Sequence, residues 1–315
     1  MNESFKKAHE GALVADALSM PVHWYYDRDA LRRDYGKVDR FMDPLPHHAD
    51  SILWRSEYEP LNEKADILHD QAQYWGQRGV HYHQFLKAGE NTVNYQLGEE
   101  LRRQVKEEGA YDSRRWAERY VEVMRTPGWH RDTYLEEYHR GFFNRYAAGK
   151  DLLKCGIRDE HIGGLSQIPA LLSALPGDLS REEVRQTVRD HVTLTHRHSN
   201  VLRAADCLVR LLWTLADGKS LGEAVMAEAG DWFSTKRAKQ WLKHPDEVVV
   251  GQKLSPACYI AEAFPAALYL AWKYGDEPEE GLVANAMVGG DSCHRGAVIG
   301  ALLGAEATGL RKAFT

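Results

Sequence analysis

Near the C-terminus, the stretch VGGDSCHRGAVIGALLGAEATG (residues 288–309) puts Asp291, Cys293, His294 and Arg295 within five positions. Each has chemistry available to it there. An aspartate at the start of a helix can cap the helix, bind a metal ion or act as a general base. A thiol at the same helix end, next to a histidine and an arginine, can have a lowered pKa and serve as a nucleophile or redox group. It can equally be a small apolar side chain packed in the interior. The free N–H groups of such a turn attract anions such as phosphate.

The segment that must hold these groups is unusual. Gly296, Gly300 and Gly304 recur every four residues, and Ala297, Ala301 and Ala305 do the same, so both rows share one side of a helix. An interior glycine costs on the order of 1 kcal/mol relative to alanine. Three together predict a helix against which another backbone packs closely. A second small-residue helix opens the chain: HEGALVADALSMP, in which Asp16 interrupts an apolar run. A buried carboxylate needs a partner, a cation or a proton. Asp16 therefore caps another helix, pairs with a buried arginine such as Arg295, or supports a polar site.

Helical periodicity dominates the rest. Helices are expected in 62–78, 89–109, 112–126, 132–150, 180–196, 200–219 and 220–233, and the nearly apolar 257–275 reads as a central buried helix. Residues 37–43 and 79–85 are the two strand candidates; in the second, His81 and His83 would share a side, a pattern read as chance among 15 histidines. The aromatics of HWYYD (23–27) are available to stack on a nucleobase, though core or rim packing is the commoner role.

The totals narrow the field. A net charge of −6 without a basic block argues against nucleic acid as a partner. The longest apolar runs are too short to cross a bilayer, and the first residues lack the pattern of a secretory signal. Cys155, Cys207, Cys258 and Cys293 are widely spaced and form no zinc-type pair. With no linker or low-complexity tract, residues 1–315 read as one all-α domain in the cytoplasm.

Taken in order, GALVADALS (11–19), TLTHRHSN with His196, ACYIAEAFPAALYLAWKYG and GGDSCHRGAVIGALLGA resemble the ADP-ribosylglycohydrolase family over about residues 8–309. The last block looks closest to a divergent branch that includes lens crystallin-like relatives. The resemblance implies a compact orthogonal helical bundle with a two-magnesium site in a cleft. It also implies cleavage of a glycosidic bond between ADP-ribose and a protein side chain or small molecule. Such chemistry needs hard oxygen ligands for magnesium and a carboxylate near a cation-like transition state.

The departures fall on that chemistry. GENTVNYQ stands where the family has a Thr-Asp-Asp-Thr motif, so Asn91 replaces an acid beside Glu90 and Thr92, and Cys293 replaces the second acid of the C-terminal motif. Losing two anionic ligands argues against a magnesium pair. It leaves one magnesium ion, held by Glu90, Thr92 and Asp291, or no metal. Carried onto this chain, the resemblance makes Glu90 and Asp291 catalytic acids, with Cys293 as a third catalytic candidate. Asp16, Asn91, His196, His294 and Arg295 become the candidate substrate contacts. The expected partner is a small-molecule or ADP-ribosylated substrate, and the oligomeric state is left open. The alternative is a relative that kept the fold but serves as a binding or structural protein.

Overall fold

A computed structural model describes residues 3–315. The expected all-α architecture holds, and among the described residues only isolated β-bridges occur. The helices run α1 (Glu3–Ser19), α2 (Arg28–Tyr35), α3 (Val93–Glu108), α4 (Ser113–Met124), α5 (Glu137–Ala147), α6 (Ile168–Ala174), α7 (Arg181–Thr193) and α8 (Ser199–Ala216). They continue with α9 (Leu221–Glu228), α10 (Thr235–Trp241), the single turn α11 (Asp246–Val248), α12 (Ile260–Lys273), α13 (Pro278–Met287), α14 (Ser292–Gly304) and α15 (Leu310–Ala313).

Local chemistry sets many of the ends. Ser180 with Glu183 and Ser220 with Glu223 form capping boxes that start α7 and α9. Asp27, Asp112 and Ser234 cap α2, α4 and α10 through their side chains. Helix α12 is buried along most of its length, as its apolar sequence requires.

The centre of the fold is the pair α1 and α14. A methyl group on Gly11 would lie 2.1 Å from the Gly300 carbonyl oxygen, and one on Gly300 would lie 2.3 Å from the Gly11 carbonyl oxygen. Gly304 sits over Lys7 and Gly11, with a hypothetical Cβ 2.8 Å from the Lys7 carbonyl oxygen. The two backbones therefore touch, and the glycine rows exist to let them. Every residue of α14 from Ser292 to Gly304 is buried.

Two regions differ from the sequence expectation. Residues 62–78 form short 3₁₀ turns (Glu63–Ala65 and His69–Tyr74) rather than one helix. Asp66 Oδ1 accepts from the backbone N–H of Leu68 and His69, and His69 adopts φ +49°, which breaks the helical path. Neither 37–43 nor 79–85 is a strand. The second segment makes one bridge, Val80 with His47, and its histidines turn inward to side-chain and carbonyl partners.

The backbone contact predicts an asymmetric response along one glycine row. Gly300→Ala should cost about 1–3 kcal/mol of unfolding free energy, although alanine is the better helix former by about 1 kcal/mol. At Gly296 the nearest atom to a new methyl is Ala15 Cβ at 3.3 Å, so Gly296→Ala should stay within about 1 kcal/mol of wild type. Urea unfolding followed by circular dichroism separates the two, and equal stabilities would contradict the packing account.

Candidate functional site

The turn in front of α14 is built against the loop that follows α1. Gly289 and Gly290 both adopt left-handed backbone, φ +71° and +68°, and a Cβ on either would lie 2.3 Å from the Tyr25 carbonyl oxygen or 2.1 Å from that of Pro256. Trp24 N–H donates to the Gly290 carbonyl oxygen (2.8 Å), and Asp291 N–H donates to that of Pro256 (2.9 Å). Arg295 clamps this turn from behind. It donates to Asn285 Oδ1 (2.8 Å) and to the carbonyl oxygens of Asn285 (2.9 Å) and Gly289 (2.8 Å). It is fully buried. Arg295 is thus a structural residue and not a substrate contact, and Asp16 is not its partner.

Asp291 caps α14 through the His294 N–H, and it does more. His23 Nε2 lies 2.9 Å from Asp291 Oδ1, and His294 Nδ1 lies 2.8 Å from the same oxygen. The far nitrogen of His294 is 2.8 Å from Glu136 Oε1, which also accepts from Asn94 Nδ2 at 2.8 Å. His23 Nδ1 is 2.9 Å from His83 Nε2, and His83 Nδ1 contacts Asp132. One chain of contacts thus runs Asp132–His83–His23–Asp291–His294–Glu136. Tyr138 and His139 steady Asn94 beside it.

Burial opposes charge throughout, and the partners decide which groups overcome it. Burial works against ionised Asp291, but the His294 charge and the two imidazole hydrogen bonds outweigh it and hold the carboxyl well below its usual range. Glu136 is likewise disfavoured by burial and then carried well below its usual range by the hydrogen bond and charge of His294. Burial pushes His294 down, yet its position between two carboxylates raises it well above an ordinary histidine. His23 has no such pair of anions. Burial lowers it to about 3, and His83 to about 4.

These states fix the tautomers. Neutral His23 directs Nε2–H at Asp291, so its Nδ1 accepts from His83 Nε2–H, and His83 Nδ1 is left as an acceptor. The proton in the last contact then belongs to Asp132, whose carboxyl burial raises to about 7. Its second oxygen accepts from Val93 N–H (2.9 Å).

In front of this chain lies a cavity of about 180 Å³. Trp24, Tyr26, Tyr82, Tyr134 and Tyr138 line it, together with Asp291, His294 and Glu136 and with Arg140 and His161. Trp24 holds φ +66°, a costly conformation for a tryptophan. Glu136 Oε2 is buried and has no hydrogen-bond partner. Arg140 borders both this cavity and a neighbouring groove of about 530 Å³ that also contains Arg55.

The sequence candidates are distributed unevenly. Asp291 and His294 lie at the centre. Glu90 does not join them: its side chain is 40% exposed and paired with Arg131 Nη2. Thr92 Oγ1 donates to Asp16 Oδ1 (2.8 Å), and Asn91 Nδ2 donates to Asp16 Oδ2 (2.9 Å). Glu90, Thr92 and Asp291 therefore face three different sets of partners and do not form one ligand set. Asp16, with both oxygens engaged and also accepting from Thr92 N–H (2.8 Å), ties down the start of α3 and so takes the helix-capping role. Asn91 belongs to that tie and not to the cavity wall. Cys293 is fully buried, its thiol directed at the Asp16 carbonyl oxygen (3.7 Å). Burial and the charge of Asp16 push its pKa well up, so it is a packed neutral thiol and not a nucleophile. His196 is buried next to a separate small cavity, with Nδ1 2.9 Å from Thr195 Oγ1.

His23, His83, Asp132 and Glu136 are the residues that sequence reasoning missed. His23 lies in HWYYD and His83 in the strand candidate 79–85, but nothing in their spacing shows that they meet. The magnesium pair that the resemblance implies does not fit what is present. Asp16 is saturated by protein donors, Glu90 points elsewhere, and the groups around Asp291 are imidazoles rather than the hard oxygens magnesium prefers. His23, Asp291 and His294 instead form a group whose ligand atoms, all buried, lie within 4.8 Å of one another and could hold a metal ion.

Residues 2–310 match the family described as ADP-ribosylglycohydrolase. A solved structure described as an ADP-ribosylglycohydrolase-related protein complex superposes with a TM-score of 0.59 at 20% identity, covering 100% of this chain and 91% of that one. At that identity the likeness concerns the fold. No curated protein matches the sequence significantly. No helix among the described residues is long and apolar enough to cross a membrane.

The protonated state assigned to Asp132 can be tested. Its folded pKa, about 7, lies above the ordinary 3.8, so the stability it contributes is fully present below about 3.8, falls as pH rises from there and is gone above about 7. Asparagine has the same shape as the protonated acid: it can donate to His83 and accept from Val93. Asp132→Asn should fold normally, and wild type should lose stability relative to this variant as pH rises from about 4 to about 7. Melting temperatures of both proteins across that range check it, and a constant difference would overturn the assignment.

Proposed function

Because the chain belongs to the ADP-ribosylglycohydrolase family, we propose that it hydrolyses a glycosidic bond of an ADP-ribose-like substrate, with the ribose ring seated in the cavity over Glu136 and Asp291. The observation that carries this reading is Glu136 Oε2. It is an ionised carboxylate oxygen, shielded from solvent and without a hydrogen-bond partner, with His139 Nε2 3.6 Å away, on a residue that lines an aromatic cavity. Leaving such a group unsatisfied costs about 1–3 kcal/mol or more, a cost that a ligand in the cavity would relieve. There, held ionised, it can stabilise positive charge at the anomeric carbon.

The remaining residues have supporting parts. His294 holds Glu136 and Asp291 in place from between them, and His23 fixes the other side of Asp291. The aromatic walls exclude water from the sugar and offer faces for stacking. A cavity of about 180 Å³ is smaller than the about 300–1,000 Å³ that encloses a drug-sized ligand, so it admits one ring and the rest of the substrate must lie outside. Arg140, bordering both the cavity and the Arg55 groove, is placed to meet a diphosphate that leaves one for the other.

Wild type should release free ADP-ribose from at least one member of a panel of N- and O-linked ADP-ribosyl substrates. Glu136→Gln should lower kcat by about 10²–10⁴-fold with a much smaller change in KM. Tight ADP-ribose binding without turnover of any substrate would favour the alternative, a relative that binds and does not cleave. Unchanged kcat in Glu136→Gln would remove Glu136 from the chemistry.

A further inference from the structure

We propose that His23, Asp291 and His294 are the ligands of a single first-row transition-metal ion, of the zinc and iron(II) class, and that this site stands in place of a magnesium pair. The donor atoms are already gathered. His23 Nε2 and His294 Nδ1 lie 2.9 and 2.8 Å from Asp291 Oδ1, and all three ligand atoms fall within 4.8 Å of one another. Ligands that bind one ion at about 2.0–2.2 Å sit roughly 3–4 Å from each other, so a small outward movement of the three side chains admits the ion.

The outer contacts match those of metal-bound imidazoles. A ligating histidine ordinarily gives its other ring N–H to a carboxylate or similar acceptor, which fixes its orientation. His294 meets Glu136 Oε1 at 2.8 Å through Nε2. His23 meets His83 Nε2 at 2.9 Å through Nδ1, and His83 in turn contacts Asp132; ligation through His23 Nε2 reverses these two contacts, so that His23 Nδ1–H donates to His83, His83 Nδ1–H donates to the Asp132 carboxylate, and one proton is released to solvent. Both far nitrogens thus lead to a buried acid.

The choice of metal follows from the ligands. Two imidazoles and one carboxylate suit zinc, iron(II) or cobalt, whereas magnesium takes oxygen ligands. Two histidines and one carboxylate with open positions are the ligand set of non-haem iron(II) centres. Asp291 and His294 also line the cavity, so the open positions face the space where a ligand would enter.

This inference stands apart from the hydrolytic reading, because its readouts are metal content and ligand identity. Full-length protein stripped with a chelator should be dialysed separately against Zn²⁺, Co²⁺ and Mg²⁺ and its metal content measured. One Zn²⁺ or Co²⁺ per chain is expected, with no comparable uptake of Mg²⁺. X-ray absorption of the zinc-loaded wild type should show two imidazole ligands, a result that depends on no variant folding. His23→Gln and His294→Gln should each weaken zinc binding by more than about 100-fold, and Glu136→Gln by about 10–100-fold. His191→Gln, which removes a buried imidazole elsewhere, should leave it unchanged. Absence of zinc and cobalt binding, preferential binding of magnesium, or zinc bound without imidazole would each overturn the proposal. A protein that binds zinc as described but cleaves no ADP-ribosyl substrate would sustain this inference and defeat the hydrolytic one.

Discussion

Everything at the site depends on two helices whose backbones touch. The Gly11 and Gly300 carbonyls occupy space that side chains would claim in an ordinary helix pair. This contact carries α14 through the middle of the protein and brings its first turn beside the end of α1. Asp16 and Cys293 then lie side by side, and the loop after α1 delivers His23 to Asp291. The glycines contribute no chemistry, yet a methyl group at Gly300 would push apart the segments that supply the acid and both of its histidines.

Burying so many titratable groups is expensive, and the fold manages the cost by alternating charge along one line. Asp291 and Glu136 are held ionised by the imidazole between them, while His23, His83 and Asp132 hold together as neutral groups. A second pair of contacts anchors the same region to α3. Asp16 accepts from Thr92 N–H and Asp132 from Val93 N–H, so two buried carboxyl groups meet the positive end of one helix. The polar network therefore positions α1, α3, α5 and α14 relative to one another as well as lining the cavity.

How much of this the sequence revealed depends on the range of the interaction. The glycine and alanine rows of α14 are periodic over one turn, so their meaning, close backbone approach, was legible. The helices of residues 89–109, 180–196 and 200–219 were legible for the same reason, with ends shifted by a few residues. Residues 62–78 carry a helical pattern that Asp66 defeats by bonding the backbone itself. Asp291 and His294 stood out because they share a short motif. Glu136 did not, because its role comes from His294, 158 positions away in sequence, and no local pattern records that pairing. Glu90 misled because it neighbours the residues that do matter: its own carboxylate turns outward to Arg131 while Asn91 and Thr92 turn inward to Asp16.

The charge around Asp291 limits which cations the site can hold. A pair of magnesium ions brings four positive charges and requires several carboxylates close together. Asn91 and Cys293 stand at two of the positions where the resemblance implies acids, and the buried thiol stays neutral. What remains near the cavity is Asp291 and Glu136, two negative charges separated by one imidazole. With that imidazole protonated, the group keeps one net negative charge; with it neutral and bound to a metal, the two carboxylates balance one divalent ion.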